Sequence, residues 1–173
     1  MYSLFRGKTE GCSNDLLTFQ ICNGGRLVMD IVDRETRSRM MAGIRGKNTR
    51  PERLVRSFLH RQGFRFRLHT STLPGRPDLI LPKYKLAIFV HGCFWHRHQN
   101  CPKATSPSTN VGKWSEKFVA NEERDRRNIA KLRESGWRVF VLWECGLTGV
   151  IEQKLAWIPG AVRDHGVVFV DWP

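Results

Sequence analysis

Cys93, His96, His98 and Cys101 fall in one short run, Cys93-Phe94-Trp95-His96-Arg97-His98-Gln99-Asn100-Cys101, and Cys145 follows further along. Thiolate sulfur and imidazole nitrogen are the usual ligands of closed, four-coordinate zinc sites. These are five groups with ligand chemistry, so the assignment stays open; if zinc takes four, one histidine is left for other work. The competing account is a pair of buried thiols beside surface histidines. A second candidate is Pro77-Asp78 at the start of a strand. A carboxylate placed there can hold a hard cation through oxygen, and such a cation stabilises the charge that builds up in phosphodiester hydrolysis. An Asp after Pro also serves as an ordinary turn or cap residue. A third is Phe94-Trp95, two large apolar residues in a polar loop. They either pack under the loop or wedge between bases. The fourth is the charged run Glu122-Glu123-Arg124-Asp125-Arg126-Arg127. Such a run is ordinarily a solvated helix face, but one of its acids can turn inward and orient a histidine.

These groups need elements to hold them. Asp33 is a plausible N-cap for a short basic helix reaching Ile44 and carrying Met40 and Met41. Residues 45–48 read as a turn. Thr49 and Glu52 form a capping box, Pro51 lies in the first turn and Gly63 closes the helix. Leu54, Val55, Phe58 and Leu59 make its buried stripe. Phe64, Phe66 and Leu68 alternate with basic residues, as in a half-buried strand. Asp78–Leu81 and Lys85–Val90 read as two more strands, the second nearly all apolar and therefore central. A loop rich in His and Cys is expected from His91 to Asn110. A helix follows from Trp114 to Ser135, interrupted near Asn121, then a buried strand Trp137–Trp143. A short helix around Val150–Trp157 and a strand Gly166–Val170 complete the chain. The alternation predicts an α/β fold, a central mixed sheet flanked by helices. Residues 1–32 read as a separate extension, broken at Asn23-Gly24-Gly25, and residues 33–173 as one domain. Cys12 and Cys22 in the extension are given no metal role.

Composition narrows the partner. The chain has 173 residues, enough for one domain with a core, and its 40% hydrophobic content is that of a soluble protein. Lys and Arg number 29 against 16 acids, a net charge of +13. That excess favours a polyanion, nucleic acid above all. No apolar run approaches the roughly 20 residues of a membrane span, and the first residues lack a signal-peptide core, so a cytoplasmic protein is expected. Five cysteines, an odd number, then suggest metal or reactive thiols before disulfides.

Several segments together resemble one family. Leu73-Pro74-Gly75-Arg76-Pro77-Asp78, Phe89-Val90-His91-Gly92-Cys93-Phe94-Trp95-His96, Glu123-Arg124-Asp125-Arg126-Arg127, Gly136-Trp137-Arg138-Val139 and Trp143-Glu144-Cys145 occur in the order found in the very short patch repair (Vsr) DNA mismatch endonucleases. Thr36-Arg37-Ser38 with Met41 agrees as well, and the resemblance runs from about Asp33 to Gly149. It implies a restriction-endonuclease-like core with a structural zinc. It also implies a magnesium-dependent activity that nicks one strand beside the thymine of a T:G mismatch. By the same resemblance Asp78 is a magnesium ligand, with the backbone carbonyl of Val90 as another. His96 is the catalytic histidine, Asp125 orients it, Glu52 lies near the metal-bound waters, and His91 lies beside the scissile phosphate. Cys93, His98, Cys101 and Cys145 are the zinc ligands, and Met41, Phe94 and Trp95 intercalate beside the mismatch. The implied partner is double-stranded DNA with a T:G mismatch, with mismatch-repair proteins such as MutL alongside, and the chain acts as a monomer in the nucleoid. The stretch His98-Gln99-Asn100-Cys101 runs slightly longer than the family pattern, and the segment after Gly149 is outside it. Two rival readings remain at this point. One is a double-strand endonuclease of restriction or mobile-element type on the same core. The other is a zinc-bearing DNA-binding protein without catalysis, against which the joint presence of Asp78 and His96 argues.

Overall fold

The computed structural model describes residues 33–43, 46–68 and 70–173. The expected extension 1–32, with Cys12 and Cys22, lies outside the described residues, as do Ile44, Arg45 and His69. Helix α1, Arg34–Ala42, starts where Asp33 accepts the backbone N–H of Thr36. Helix α2, Arg50–Arg61, carries the expected capping box: the Thr49 hydroxyl accepts the Glu52 N–H while Glu52 accepts the Thr49 N–H. Val55, Phe58 and Leu59 form its buried face, with Leu54 only half-buried.

Strand β1 is only Arg67–Leu68, and both residues are exposed. The longer strand expected from Phe64 does not form. Gly63 turns the chain with φ +79°, and Phe64 drops into the core edge-on against Tyr84 instead of pairing. Strand β2, Leu79–Leu81, and strand β3, Leu86–His91, are joined by a 3-10 turn at Pro82–Tyr84. The region expected as a loop after His91 instead opens with a single helical turn, α3, Cys93–His96. Helix α4 runs unbroken from Val111 to Glu134, through the interruption expected at Asn121. The Asn121 side chain donates to the Trp95 carbonyl, so a tertiary contact offsets its modest helix propensity. Strand β4, Arg138–Trp143, is buried throughout. The single helix expected near 150–157 is two, α5, Ile151–Lys154, and α6, Ile158–Arg163. The last strand, β5, is Phe169–Trp172, further along than expected.

The five strands lie in the order β1-β2-β3-β4-β5. The first two pairings are antiparallel and the last two parallel, so the sheet is mixed, as expected. Side chains alternate across it. Leu86 and Ile88 of β3 join Phe140 and Leu142 of β4 in a core with α2 and α6. Ala87 and Phe89 join Val139, Val141 and Trp143 in a second core with Ile129 and Leu132 of α4. Helices therefore cover both faces. His91 and Trp143 are register partners at the carboxyl ends of two parallel strands, on the α4 side, a usual place for binding sites in such sheets. No helix among the described residues is long and apolar enough to cross a membrane.

Candidate active site and metal centre

Asp78 directly precedes β2, and its Oδ2 accepts the Val90 N–H at 2.8 Å. This bond ties the carboxylate to the end of β3. Burial pushes the Asp78 carboxyl up to about 6, and the Glu52 carboxylate adds to the rise, while the Val90 N–H, Arg56 and His96 oppose it. The loop before it is seated on α4. Gly75 has φ +74°, and a Cβ there would lie 2.9 Å from the Asn128 side chain. Only glycine suits both the dihedral and the approach. Glu52 is 3% exposed and its carboxylate is fully engaged. Oε1 accepts from Thr49, Oε2 from the Asn48 N–H and from Arg56, the latter at 2.5 Å. The helix-start signal thus brings a second buried carboxylate into the electrostatic surroundings of Asp78. A buried carboxylate held well above its normal range suits a divalent cation, which offsets the cost of ionising it, and Glu52 adds negative charge nearby.

One turn after β3, His96 folds back over His91. Their rings stack at 3.9 Å with 5° between planes. His96 Nδ1 lies 2.5 Å from Asp125 Oδ2, supplied by α4. Burial pushes the Asp125 carboxyl up, but its hydrogen bond with His96 and the nearby imidazoles and Arg124 outweigh that and hold it below its usual range. Burial and the neighbouring His96 push His91 down to about 3, so its ring is neutral. The charged run on α4 therefore divides: Asp125 turns inward, while Glu123, Arg124, Arg126 and Arg127 stay exposed. His91, His96 and Asp125 have ligand atoms close enough to hold a metal. Parallel rings, however, cannot both aim an in-plane lone pair at one ion, so this trio suits proton handling better.

The other cluster is Cys93, His98, Cys101 and Cys145, whose ligand atoms all lie within 4.8 Å of one another. Cys93 comes from the start of α3, and Cys145 from the turn after β4. Left-handed Arg97 and Asn100 take up the length of the intervening stretch and bring Cys101 into the group. His98 Nε2 donates to the Pro173 backbone oxygen at 3.1 Å, while Nδ1 faces the sulfurs of Cys145 at 3.2 Å and Cys93 at 3.7 Å. The outer hydrogen bond leaves Nδ1 as the lone-pair nitrogen, as a metal-binding imidazole needs. Burial pushes the Cys93 thiol up to about 12; a bound dication reverses that preference. Of the two histidines left open by the sequence, His98 joins the thiols and His96 does not.

Phe94 and Trp95 are half-buried and pack on α4 with Trp114 and Phe118, ring centroids 5.0–5.9 Å apart. Lys117 sits over both Trp95 and Trp114, and Arg97 over Phe118. Sequence reasoning did not single out Trp114, whose spacing from Phe118 on α4 was the available signal. Met41 lies in the last turn of α1, half-buried, on an element separate from this cluster.

The sequence signature described as DNA mismatch endonuclease Vsr matches residues 29–103. The type II nicking enzyme V.XorIIP of Xanthomonas oryzae pv. oryzae is 48% identical over 128 residues, covering 73% of this chain and 93% of that protein. The DNA mismatch endonuclease Vsr of Escherichia coli is 46% identical over 120 residues, 69% of this chain and 76% of that protein. The type II nicking enzyme V.NmeAIP of Neisseria meningitidis is 46% identical over 118 residues, 68% of this chain and 84% of that one.

Proposed function

The chain belongs to the Vsr family of DNA mismatch endonucleases, and from that premise we propose that it nicks one strand of DNA beside the thymine of a T:G mismatch. It is a DNA endonuclease; the mismatch, the magnesium dependence and the residue roles are the added reading. The observation that carries it is the His96–Asp125 pair, whose His96 lies within electrostatic reach of the buried Asp78 carboxylate. Asp78 and the Val90 carbonyl would hold magnesium, which when bound would supply the positive charge that stabilises the developing phosphoryl charge. Asp125 accepts the Nδ1–H of His96, which fixes the tautomer and leaves Nε2 bare. Nε2 takes a proton from the attacking water. His91, neutral and stacked on His96, braces that ring and faces the scissile phosphate. Glu52 acts through its charge and through the order it gives to residues 48–49, since both its oxygens are already engaged.

Phe94 and Trp95, together with Met41, enter the stack beside the mismatch. The packing on Trp114 and Phe118 holds the rings ready, so little ordering is needed on binding. Unstacking costs least at a mismatch, and that difference gives selectivity. Cys93, His98, Cys101 and Cys145 would hold a structural zinc, which would keep the α3 turn in place. The same reading has residues 33–173 act as one domain on a restriction-endonuclease-like core, as a monomer, alongside mismatch-repair proteins such as MutL. The test is a set of duplexes, T:G, other mismatches and fully matched, incubated with the chain and magnesium. One-strand cleavage beside the T of T:G, abolished by chelator, is the expected result. Double-strand cleavage of matched DNA would replace this reading with a restriction-type one.

A further inference from the structure

A row of contacting rings joins the two clusters just described. The His98 ring lies parallel to Trp143 at 4.2 Å. Trp143 meets His91 edge to face at 5.2 Å, and His91 stacks on His96 at 3.9 Å. Trp143 is 8% exposed, and its indole Nε1–H donates to Asp171 Oδ1 at 2.6 Å. Asp171 is the third residue of β5, in the segment beyond the family likeness noted in the sequence. It lines the same cavity, about 340 Å³, as His96 and Asp125.

We infer that Asp171 and Trp143 are positioning residues for the catalytic histidine: Asp171 fixes the rotation of the Trp143 ring, and that ring fixes His91 beneath His96. The inference rests on the reading of His96 as the catalytic base. An indole held only by packing can slide in its plane; a charge-assisted hydrogen bond at its single polar atom removes that freedom. Among the described residues the His91 ring makes no hydrogen bond, so ring contacts with Phe89, Trp143 and His96 set its place. A small shift of Trp143 therefore passes to His91 and on to Nε2 of His96. Misplacement of a reacting group by about 1 Å can cost on the order of a hundredfold in rate. The strand β5 thereby takes part in catalysis without touching substrate.

The experiment compares Asp171→Ala, Asp171→Asn, Trp143→Phe and His96→Ala in the full chain. Single-turnover nicking of a T:G duplex, duplex Kd and bound zinc are measured for each. Asp171→Ala should slow nicking about tenfold or more, with Kd and zinc unchanged. Asp171→Asn should recover most of the rate, because its carboxamide oxygen still accepts the indole N–H. Trp143→Phe should match Asp171→Ala, and the double variant should be no slower than either. The His91 ring-proton resonances should move in Asp171→Ala and return in Asp171→Asn. A wild-type rate in Asp171→Ala overturns the inference. So does an Asn variant no better than Ala, or a rate loss that comes with equal loss of zinc and DNA affinity. Wild-type nicking by His96→Ala would instead overturn the catalytic reading itself.

Discussion

At the scale of single residues, Asp78 sets function against stability. Its carboxyl is held near 6 in the folded chain by burial, against 3.8 when unburied. Between those values the folded state keeps a proton that the unfolded state has lost, so stability falls as pH rises through that window. At neutral pH without magnesium the ionised group is a net cost. Asp78→Asn should therefore be more stable than the natural chain at pH 7.5 by about 1–3 kcal/mol. Urea unfolding should show the gain shrinking towards zero near pH 4. Added magnesium should stabilise the natural chain and leave Asp78→Asn unmoved, while nicking by the variant is lost. A destabilised Asn variant at pH 7.5 would contradict this. Trp95 makes a different case. Its ring packs with Phe94 and Trp114 in the free protein, so Trp95→Ala costs some stability. Stacking on a base is worth roughly 1–3 kcal/mol, so cleavage of T:G should fall by about tenfold beyond any loss explained by unfolding. Matching losses of Tm and activity would assign Trp95 to packing alone.

At the scale of elements, the sheet depends on Arg138. This residue is 5% exposed, and its guanidinium donates to the carbonyls of Ala161, Val162, Asp164 and Val167. It ties the end of α6 and the approach to β5 to the first residue of β4. Arg138→Met should cost about 3 kcal/mol or more, since it strands several buried carbonyls. Arg138→Lys should recover little, because an ammonium group cannot reach them all. Thermal unfolding of the two variants checks this; a Lys variant as stable as the natural chain would refute it. Which elements are legible in the sequence follows from how local their causes are. The Thr49–Glu52 box is written in adjacent residues, and so is the apolar run of β3. The thiols and histidines of 93–101 announce a cluster by type, although choosing His98 over His96 needs either the fold or a family likeness. Illegible elements are those fixed at a distance. Phe64 leaves its strand to meet Tyr84, and Asn121 stays helical by binding the carbonyl of Trp95. Asp171 gains meaning only when β5 is laid beside β4.

At the scale of the whole molecule, charge and metal dominate. The net charge of +13 makes binding to DNA a matter of counterion release. Affinity for a T:G duplex should fall by more than tenfold between about 50 and 200 mM salt. A flat dependence would mean that the basic surface faces away from DNA. The Cys and His cluster predicts about one zinc per chain in protein prepared without chelator. Cys145→Ser should lower both zinc content and Tm, because Cys145 joins the end of β4 to the 93–101 stretch. Metal analysis of the two proteins decides the point, and undiminished zinc in Cys145→Ser would remove that residue from the site.

Strand β1 has one further consequence. An edge strand with open backbone groups invites a neighbouring copy to add a strand of its own, the first step toward aggregates. Here that edge is only Arg67–Leu68, with both side chains exposed. So short a template, headed by a positive charge, gives an identical chain too few backbone partners to zip against.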